Sequence, residues 1–360
     1  MLYIVYDDLC DKCYVGIRKK ILAQVRVFSK KFERVFYTSY SGQMLYLLTD
    51  ETVIEKELAI TWQECYKIIL GWIIKYSISK TYIRYNFADR WFIEFLKEQK
   101  RRNIASVLEF PTFPYEGEVS NKRSIMEDRH YRTQISEYID RCTTYTNFDE
   151  IFGITSILLL NGVDIEEHPA RNPRKKDGSI VLLAVAAMAK WHGYERVIEG
   201  MAQYYEENGK KNILFKLVGD GPEIGKYKSL VQKYGLETKV EFCGKLEGKA
   251  LDMQYDESDI AIGSLGMYKT GLENASPIKM REYYTRGLPI VYGYEDLGFQ
   301  GNEEYLLRLP NNSEPVDMLA IIQLFEKTAG DSALISKMHE DAGRRFSWDR
   351  ILAPVIDYYN

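Results

Sequence analysis

The fold is read from Ser276-Pro277-Ile278-Lys279-Met280-Arg281-Glu282-Tyr283-Tyr284-Thr285-Arg286-Gly287-Leu288-Pro289-Ile290-Val291-Tyr292. Ser276 is a residue type that caps helix starts, and Pro277 suits the first helical position, where no N–H partner is needed. Gly287 is a C-terminal stop, after which Leu288 to Tyr292 read as a short buried strand. A capped helix start gathers unpaired N–H groups and the positive end of a dipole, so it can hold phosphate. Lys279 and Glu282 are three residues apart and share a face. A cation near a phosphate with a carboxylate one turn deeper suits a nucleoside diphosphate, the carboxylate accepting both ribose hydroxyls. Taken alone, the stretch also fits a surface helix in which Glu282 pairs with Lys279 or Arg286 for roughly 0.2–0.5 kcal/mol.

The flanking sequence is ordered around it. Asn212 to Val218 is an apolar strand running into the turn Gly219-Asp220-Gly221-Pro222-Glu223, whose glycines allow a backbone to approach a ligand closely. Tyr234-Gly235-Leu236, the strand Lys239 to Phe242 and the turn Gly244-Lys245-Leu246 follow. Next come a helix containing Leu251 and Tyr255 and the strand-like Ser258 to Ser264. In this order and spacing the segment resembles the donor-binding half of retaining glycosyltransferases of family 4 (group 1), which have the two-domain fold called GT-B. Trp191-His192-Gly193-Tyr194-Glu195-Arg196 looks like the turn after the first strand of their second domain. Asn161-Gly162-Val163-Asp164 looks like the motif that closes their first. Glu109-Phe110-Pro111-Thr112-Phe113-Pro114-Tyr115 with Glu118 is similar to an acceptor-side loop in a bacterial branch of the family, and Phe346-Ser347-Trp348 with the last helix resembles its returning tail.

The resemblance implies an α/β chain of two Rossmann-like domains facing a central cleft. Residues 1–168 would bind the acceptor, 169–177 would form the linker, and 178–345 would bind the donor. Residues 346–360 would cross back to the first domain. It implies donor contacts at Gly219, Asp220, Gly221, Gly244, Lys245, Leu246, Asn274, Ser276, Ile278, Lys279 and Glu282, with Lys279, Glu273 and His192 as catalytic groups. Glu109, Tyr115 and Glu118 would orient the acceptor. The chain departs from the family where two glutamates are commonly separated by seven residues. Glu282 matches the second, whereas the first falls on Asn274, with Glu273 one residue early. The usual Arg and Lys for the diphosphate are missing too, their positions falling near Ala187 and His192. His192 is then either a ligand group or a turn cap, and more weight falls on Lys279.

The implied reaction is retaining transfer of a sugar from a nucleotide-diphosphate sugar, a co-substrate, to an acceptor hydroxyl. Fixed cations and dipoles would carry charge on the departing phosphate, with no metal and no cofactor. No pair of carboxylates has a claim to be acid and nucleophile, which argues against a hydrolase. The implied acceptor is a sugar, a lipid-linked glycan or a glycoprotein, in cell-surface polysaccharide or glycoconjugate assembly. A nucleotide-sugar 2-epimerase of the same fold and a non-catalytic partner of another transferase are the competing readings.

The chain has 360 residues, enough for two domains that each bury a core, and its net charge of −4 gives no sign of a nucleic-acid binder. Its 28 tyrosines suit sugar stacking as well as cores. Five cysteines, an odd number with no signal peptide, imply a reducing cytoplasm. Cys10 and Cys13 form a Cys-x-x-Cys pair, but neither the other cysteines nor the four histidines add metal-ligand spacing. The apolar run Tyr66 to Ile78 is too short for a bilayer and reads as a buried helix. Between Lys12 and Arg34, Ile17, Ile21, Leu22, Val25 and Phe28 interleave with cations at helical spacing. That pattern fits a peripheral helix on anionic lipid or a core-packed helix with a solvated outer face. Val35–Tyr37 and Met44–Leu48 suggest a β-meander amid otherwise alternating strands and helices.

Overall fold

The computed structural model describes residues 1–9, 15–118, 121–175, 177–329 and 331–360, with the side chains of Val15 and Glu118 excluded. The Cys10–Cys13 pair and the Glu118 carboxylate therefore lie outside the described residues. The chain divides into two compact units, Met1–Leu160 with Trp348–Asn360, and Asn161–Ser347.

The first unit opens with β1 (Leu2–Ile4) and α1 (Val15–Lys31). The sheet then takes on a meander, β2 (Phe36–Ser41), β3 (Met44–Thr49) and β4 (Thr52–Leu58), paired antiparallel in succession. The crossover pattern resumes with α2 (Trp62–Lys75), β5 (Lys80–Arg84), α3 (Arg90–Arg101), β6 (Ala105–Phe110) and α4 (Lys122–Tyr131). It finishes with β7 (Arg141–Thr144), β8 (Glu150–Ile151) and β9 (Ile154–Leu158). The nine strands lie in the order β4-β3-β2-β1-β5-β6-β7-β9-β8. Thr61 caps α2 in a reciprocal capping box with Glu64, and Cys65, Tyr66, Ile69, Trp72 and Ile73 bury one face of it, as the apolar run predicts. No helix of the described residues is long and apolar enough to cross a membrane.

On α1 the apolar positions Ile21, Leu22, Val25 and Phe28 are buried in the unit's core, so its apolar face is occupied from within. Lys20 is buried with them and reaches Glu109 at 3.3 Å, while Arg18, Lys19, Arg26, Lys30 and Lys31 remain outside.

In the second unit the series is β10 (Ser179–Val185), α5 (Glu195–Glu206), β11 (Asn212–Val218), α6 (Ile224–Lys233), β12 (Val240–Gly244), α7 (Gly248–Asp256) and β13 (Ile260–Ile262). β14 (Asn274–Ala275), α8 (Ile278–Thr285), β15 (Ile290–Tyr292), β16 (Glu295–Asp296), β17 (Leu306–Arg308), α9 (Met318–Thr328) and α10 (Leu334–Phe346) complete it. The six-stranded sheet runs β12-β11-β10-β13-β15-β17, and every neighbouring pair is parallel. Chain order thus reverses between β10 and β13. In doubly wound sheets such a switch point opens a crevice at the carboxyl ends of the strands.

Asn161 to Lys175, expected to close the first domain and link it to the second, belong to the second unit. The backbone N–H of Arg171 donates to the Arg286 carbonyl (3.0 Å) and that of Asn172 to Asp256 (2.8 Å). The last helix, α11 (Trp348–Tyr359), belongs to the first unit, where Ile351, Leu352, Val355 and Ile356 join the α1 core and the Tyr359 hydroxyl donates to the Thr81 carbonyl (2.6 Å).

Candidate functional site

At the switch point of the second unit, the connections leaving β10 and β13 are laced together. The Leu265 N–H donates to the His192 carbonyl (2.8 Å) and the Gly266 N–H to that of Trp191 (3.1 Å). Gly193 has a φ of +62°, and a Cβ there would come within 2.6 Å of the Gly266 nitrogen, so only glycine suits this crossing. α8 is drawn to the same place by Tyr283, whose hydroxyl accepts from the Val185 N–H at the end of β10 (2.8 Å).

The helix start differs from its expected form. Pro277 is the N-cap and Ile278 the first helical residue. Ser276 does not cap the helix, because its hydroxyl is held elsewhere. It accepts from the Asn161 N–H (3.0 Å) and from Arg281 (2.8 Å), while the Asn161 amide donates to the Ser276 carbonyl. Asn161, at the head of the Asn-Gly-Val-Asp motif, thereby fixes the residue before the helix. Arg281 is wholly buried, ion-paired with the equally buried Asp296, and lies over the rings of Phe299 and Phe346 at 4.9 and 4.3 Å.

Lys279 and Glu282 occupy the face expected of them. The Lys279 ammonium lies 3.4 Å from the Tyr194 hydroxyl, and Tyr194 stacks on His192 at 5.5 Å. Lys279 keeps some accessible surface, yet the protein packed around its ammonium strips away water. Burial brings its pKa down to about 7, with Glu282 opposing. Glu282 meets His168, whose Nε2 is 3.4 Å from the carboxylate and whose Nδ1 is 2.8 Å from the Asp164 carbonyl. Burial works against a charge on His168. The hydrogen bond and field of Glu282, with the Asp164 carbonyl, outweigh it and raise the pKa above the usual 6.5. The motifs around His168, Tyr194 and Arg281 assign these residues no role. The partners of His168 and Tyr194, Glu282 and Lys279, are far along the chain, so periodicity does not single them out.

His192 caps its turn: its Nδ1 accepts the Ala189 N–H at 2.9 Å, which leaves the ring proton on Nε2. Burial, followed by the nearby Lys279, lowers its pKa to about 2, so the resting imidazole is neutral and brings no positive charge.

Gly219 and Gly221 are required by the chain itself. A Cβ would meet the Ala186 carbonyl oxygen at 1.9 Å and that of Met188 at 2.4 Å respectively. Their close backbone approach is to the loop after β10, to which the Asp220 carbonyl is bonded by the Met188 N–H (2.8 Å). Asp220 accepts the Gly221 N–H (2.8 Å). Gly244, the last residue of β12, and Lys245 are exposed, and Leu246 is half-buried in the turn that follows. Glu273 is exposed, its carbonyl accepting the Glu295 N–H (2.8 Å), and Asn274 pairs with Glu295 in the small β14–β16 ladder.

The residues expected on the acceptor side of the first unit lie deeper than a loop. Glu109 is in β6, fully buried. It accepts from the hydroxyls of Tyr145 (2.6 Å) and Tyr3 (2.7 Å) and is 3.3 Å from both the Lys20 ammonium and the Arg84 guanidinium. Burial opposes its charge, but Lys20 and Arg84 hold its pKa down at about 2. Both oxygens are engaged internally, which makes it the anion of a buried cluster. Tyr115 is buried as well, its hydroxyl donating to Asp128 and accepting from Arg132 (3.2 Å).

Residues 164–298 match the family model described as glycosyl transferases group 1. Among proteins of curated function, none matches the chain by sequence. The solved structure of a glycosyltransferase from Rickettsia africae is similar over 99% of this chain and 97% of its own, at 13% identity and a TM-score of 0.68. HepE from Anabaena, solved in complex with UDP and glucose, is similar over 99% and 98%, at 12% identity and 0.65. WaaG, a glycosyltransferase involved in lipopolysaccharide biosynthesis, is similar over the same shares, at 14% identity and 0.62. The chain thus has the GT-B fold of these glycosyltransferases, and its segment 164–298 matches the group 1 glycosyl transferase family.

Proposed function

We propose that the chain transfers a sugar from a nucleoside-diphosphate sugar to an acceptor hydroxyl, with retention and without a metal ion. The observation that carries this reading is the α8 face at the switch point of the second sheet. There Lys279 lies beside neutral His192, and Glu282 follows one turn on, steadied by His168. In this reading the first N–H groups of α8, at Ile278 and Lys279, face the diphosphate. Glu282 accepts from the ribose hydroxyls, and Nε2–H of His192 is a neutral donor toward the sugar end, where Glu273 and Asn274 also lie. Negative charge grows on the leaving phosphate in the transition state, so Lys279 acts chiefly on turnover. The turns at Asp220 and at Lys245–Leu246 border the base.

That neighbours of this fold include one solved with UDP and glucose and one acting in lipopolysaccharide biosynthesis supports a UDP-sugar donor and a role in cell-surface glycan assembly. In the same reading the protein works in the cytoplasm, and the outward cations of α1 meet the anionic face of the membrane. The test is calorimetric titration with UDP. Glu282→Ala weakens binding about ten- to a hundredfold, since charge-assisted hydrogen bonds contribute roughly 1.5–3 kcal/mol each. Lys279→Ala lowers kcat by more than it weakens UDP binding. Unchanged UDP binding by Glu282→Ala would remove α8 from the nucleotide site. NMR of the product reads the retained anomeric configuration, and conversion of the donor without an acceptor would instead indicate an epimerase.

A further inference from the structure

The first unit holds a cavity of about 500 Å³ that the donor chemistry does not use. Tyr40, Trp62, Gln63, Asp89, Trp91 and Glu127 are among its walls. Tyr40 lies in β2; Trp62 and Gln63 open α2 after β4; Asp89 and Trp91 lie where β5 gives way to α3; Glu127 is on α4, which follows β6. β2 and β5 are parallel to β1, and the two antiparallel pairings of the meander return β4 to the same sense. The walls therefore come from connections that leave the carboxyl ends of co-directional strands, where α/β sheets bind ligands.

The lining has two kinds of surface. Trp62 is 39% exposed although its ring leans on Tyr6 (5.3 Å) and Tyr40 (5.8 Å), so it is fixed in orientation while presenting a face. Trp91, half-buried, belongs to the same lining. The polar groups are Asp89, whose carboxylate already caps α3 through the Phe92 N–H (2.7 Å), exposed Glu127, Gln63, and the hydroxyls of Thr61 and Tyr40, which donate to Glu64 (3.1 Å) and to the Ala59 carbonyl (2.9 Å). No lysine or arginine is among the described residues that line this cavity. Arg90 and Lys67 line an adjoining cavity of about 350 Å³, which shares Gln63 and Trp91.

We propose that this aromatic cavity holds a pyranose of the acceptor, and that it takes uncharged or amino sugars in preference to uronic acids. The inference rests on the transfer reading above and names the class of its acceptor. A pyranose has an apolar C–H face that suits a rigid indole and a rim of hydroxyl donors that suits carboxylates and amides. A sugar carboxylate would face Asp89 and Glu127, while Arg90, over the Trp91 ring at 5.1 Å, lines only the adjoining cavity, and like charges brought together discriminate strongly. The adjoining cavity extends the groove for a second residue of a glycan.

The test uses methyl glucoside, methyl N-acetylglucosaminide and methyl glucuronide with the full chain, read by ligand-observed NMR and tryptophan fluorescence, with UDP titrated in parallel. At least one of the two neutral glycosides binds saturably, and the glucuronide binds at least about tenfold more weakly. Trp62→Ala lowers neutral-glycoside affinity about tenfold or more. Should that variant fail to fold, Glu127→Gln, on an exposed position, lowers it about three- to fivefold and narrows the gap to glucuronide. A chain that binds UDP but neither neutral glycoside overturns this inference and leaves the transfer reading intact. A chain that binds a neutral glycoside but not UDP keeps the sugar site, overturns the UDP-sugar donor of the transfer reading, and with it removes the assignment of that sugar as the acceptor. Glucuronide binding as tight as that of the glucosides overturns the proposed sugar class.

Discussion

Glu282 carries two linked consequences at the scale of single residues, because its charge favours the protonated forms of both His168 and Lys279. The His168 pKa is raised in the folded state, so the folded protein holds this proton more tightly than the unfolded chain. The resulting stabilisation is complete below the unfolded value of about 6.5 and is lost as pH rises through the higher folded value. Urea midpoints of the parent relative to His168→Gln should therefore be furthest apart in mild acid and converge at higher pH. A constant gap across that range would show that the pair contributes packing and no charge. Lys279 has the opposite shift, down to about 7. A diphosphate placed against it would restore its ordinary pKa, so UDP binding at about pH 8 should take up a proton. Calorimetry in buffers of different ionisation enthalpy reads that uptake, and Lys279→Met should abolish it. Buffer-independent heats in the parent would separate Lys279 from the phosphate.

At the scale of elements, α8 shows which parts of the site local sequence encodes. Its end is legible: Gly287 has a φ of +78°, as a glycine stop requires, and the strand after it forms as β15. Asn212 to Val218 likewise form β11 with the bounds the apolar run predicts. The start is shifted because the Ser276 hydroxyl that would cap the helix is taken by Asn161, 115 positions away, and by buried Arg281. Capping rules describe a few consecutive residues, so a competitor so remote does not register in them. Glu109 gives the same lesson in the first unit. Its strand is legible, but its engagement by Tyr3, Lys20, Arg84 and Tyr145 arises only once four separate elements meet. The dependence of α8 on this remote bracing is measurable. Arg281→Met leaves Asp296 buried without its cation, which typically costs about 3–5 kcal/mol. Hydrogen exchange should then rise through α8, the β14–β16 ladder and the Ser276 turn. Unaltered protection there would mean that Phe299 and Phe346 hold the helix without the ion pair.

At the scale of the whole molecule, the chain leaves the first unit at Leu160 and returns to it at Trp348. The last helix is therefore structural for residues more than three hundred positions earlier. Ile351, Leu352, Val355 and Ile356 are buried in the same core as Ile21, Val25 and Phe28 of α1. Removing Trp348–Asn360 uncovers that apolar face, and each buried aliphatic or aromatic side chain lost contributes roughly 1.5–3 kcal/mol. Several such losses exceed or match the typical net stability of a domain, roughly 5–15 kcal/mol, so the truncated first unit should be largely unfolded. The second unit keeps its own core around β10 and β11, whose strands pair in register along all seven residues. Hydrogen exchange followed by mass spectrometry on the truncated chain should show rapid exchange in α1, β1 and β5, with slow exchange retained in β10 and β11. UDP should still slow exchange around α8 in that truncated chain, because every group assigned to the nucleotide lies between Asn161 and Ser347. Protected α1 peptides after truncation would show that the first core closes without its returning helix. Loss of the UDP effect alone would show that the nucleotide draws on residues of the first unit as well.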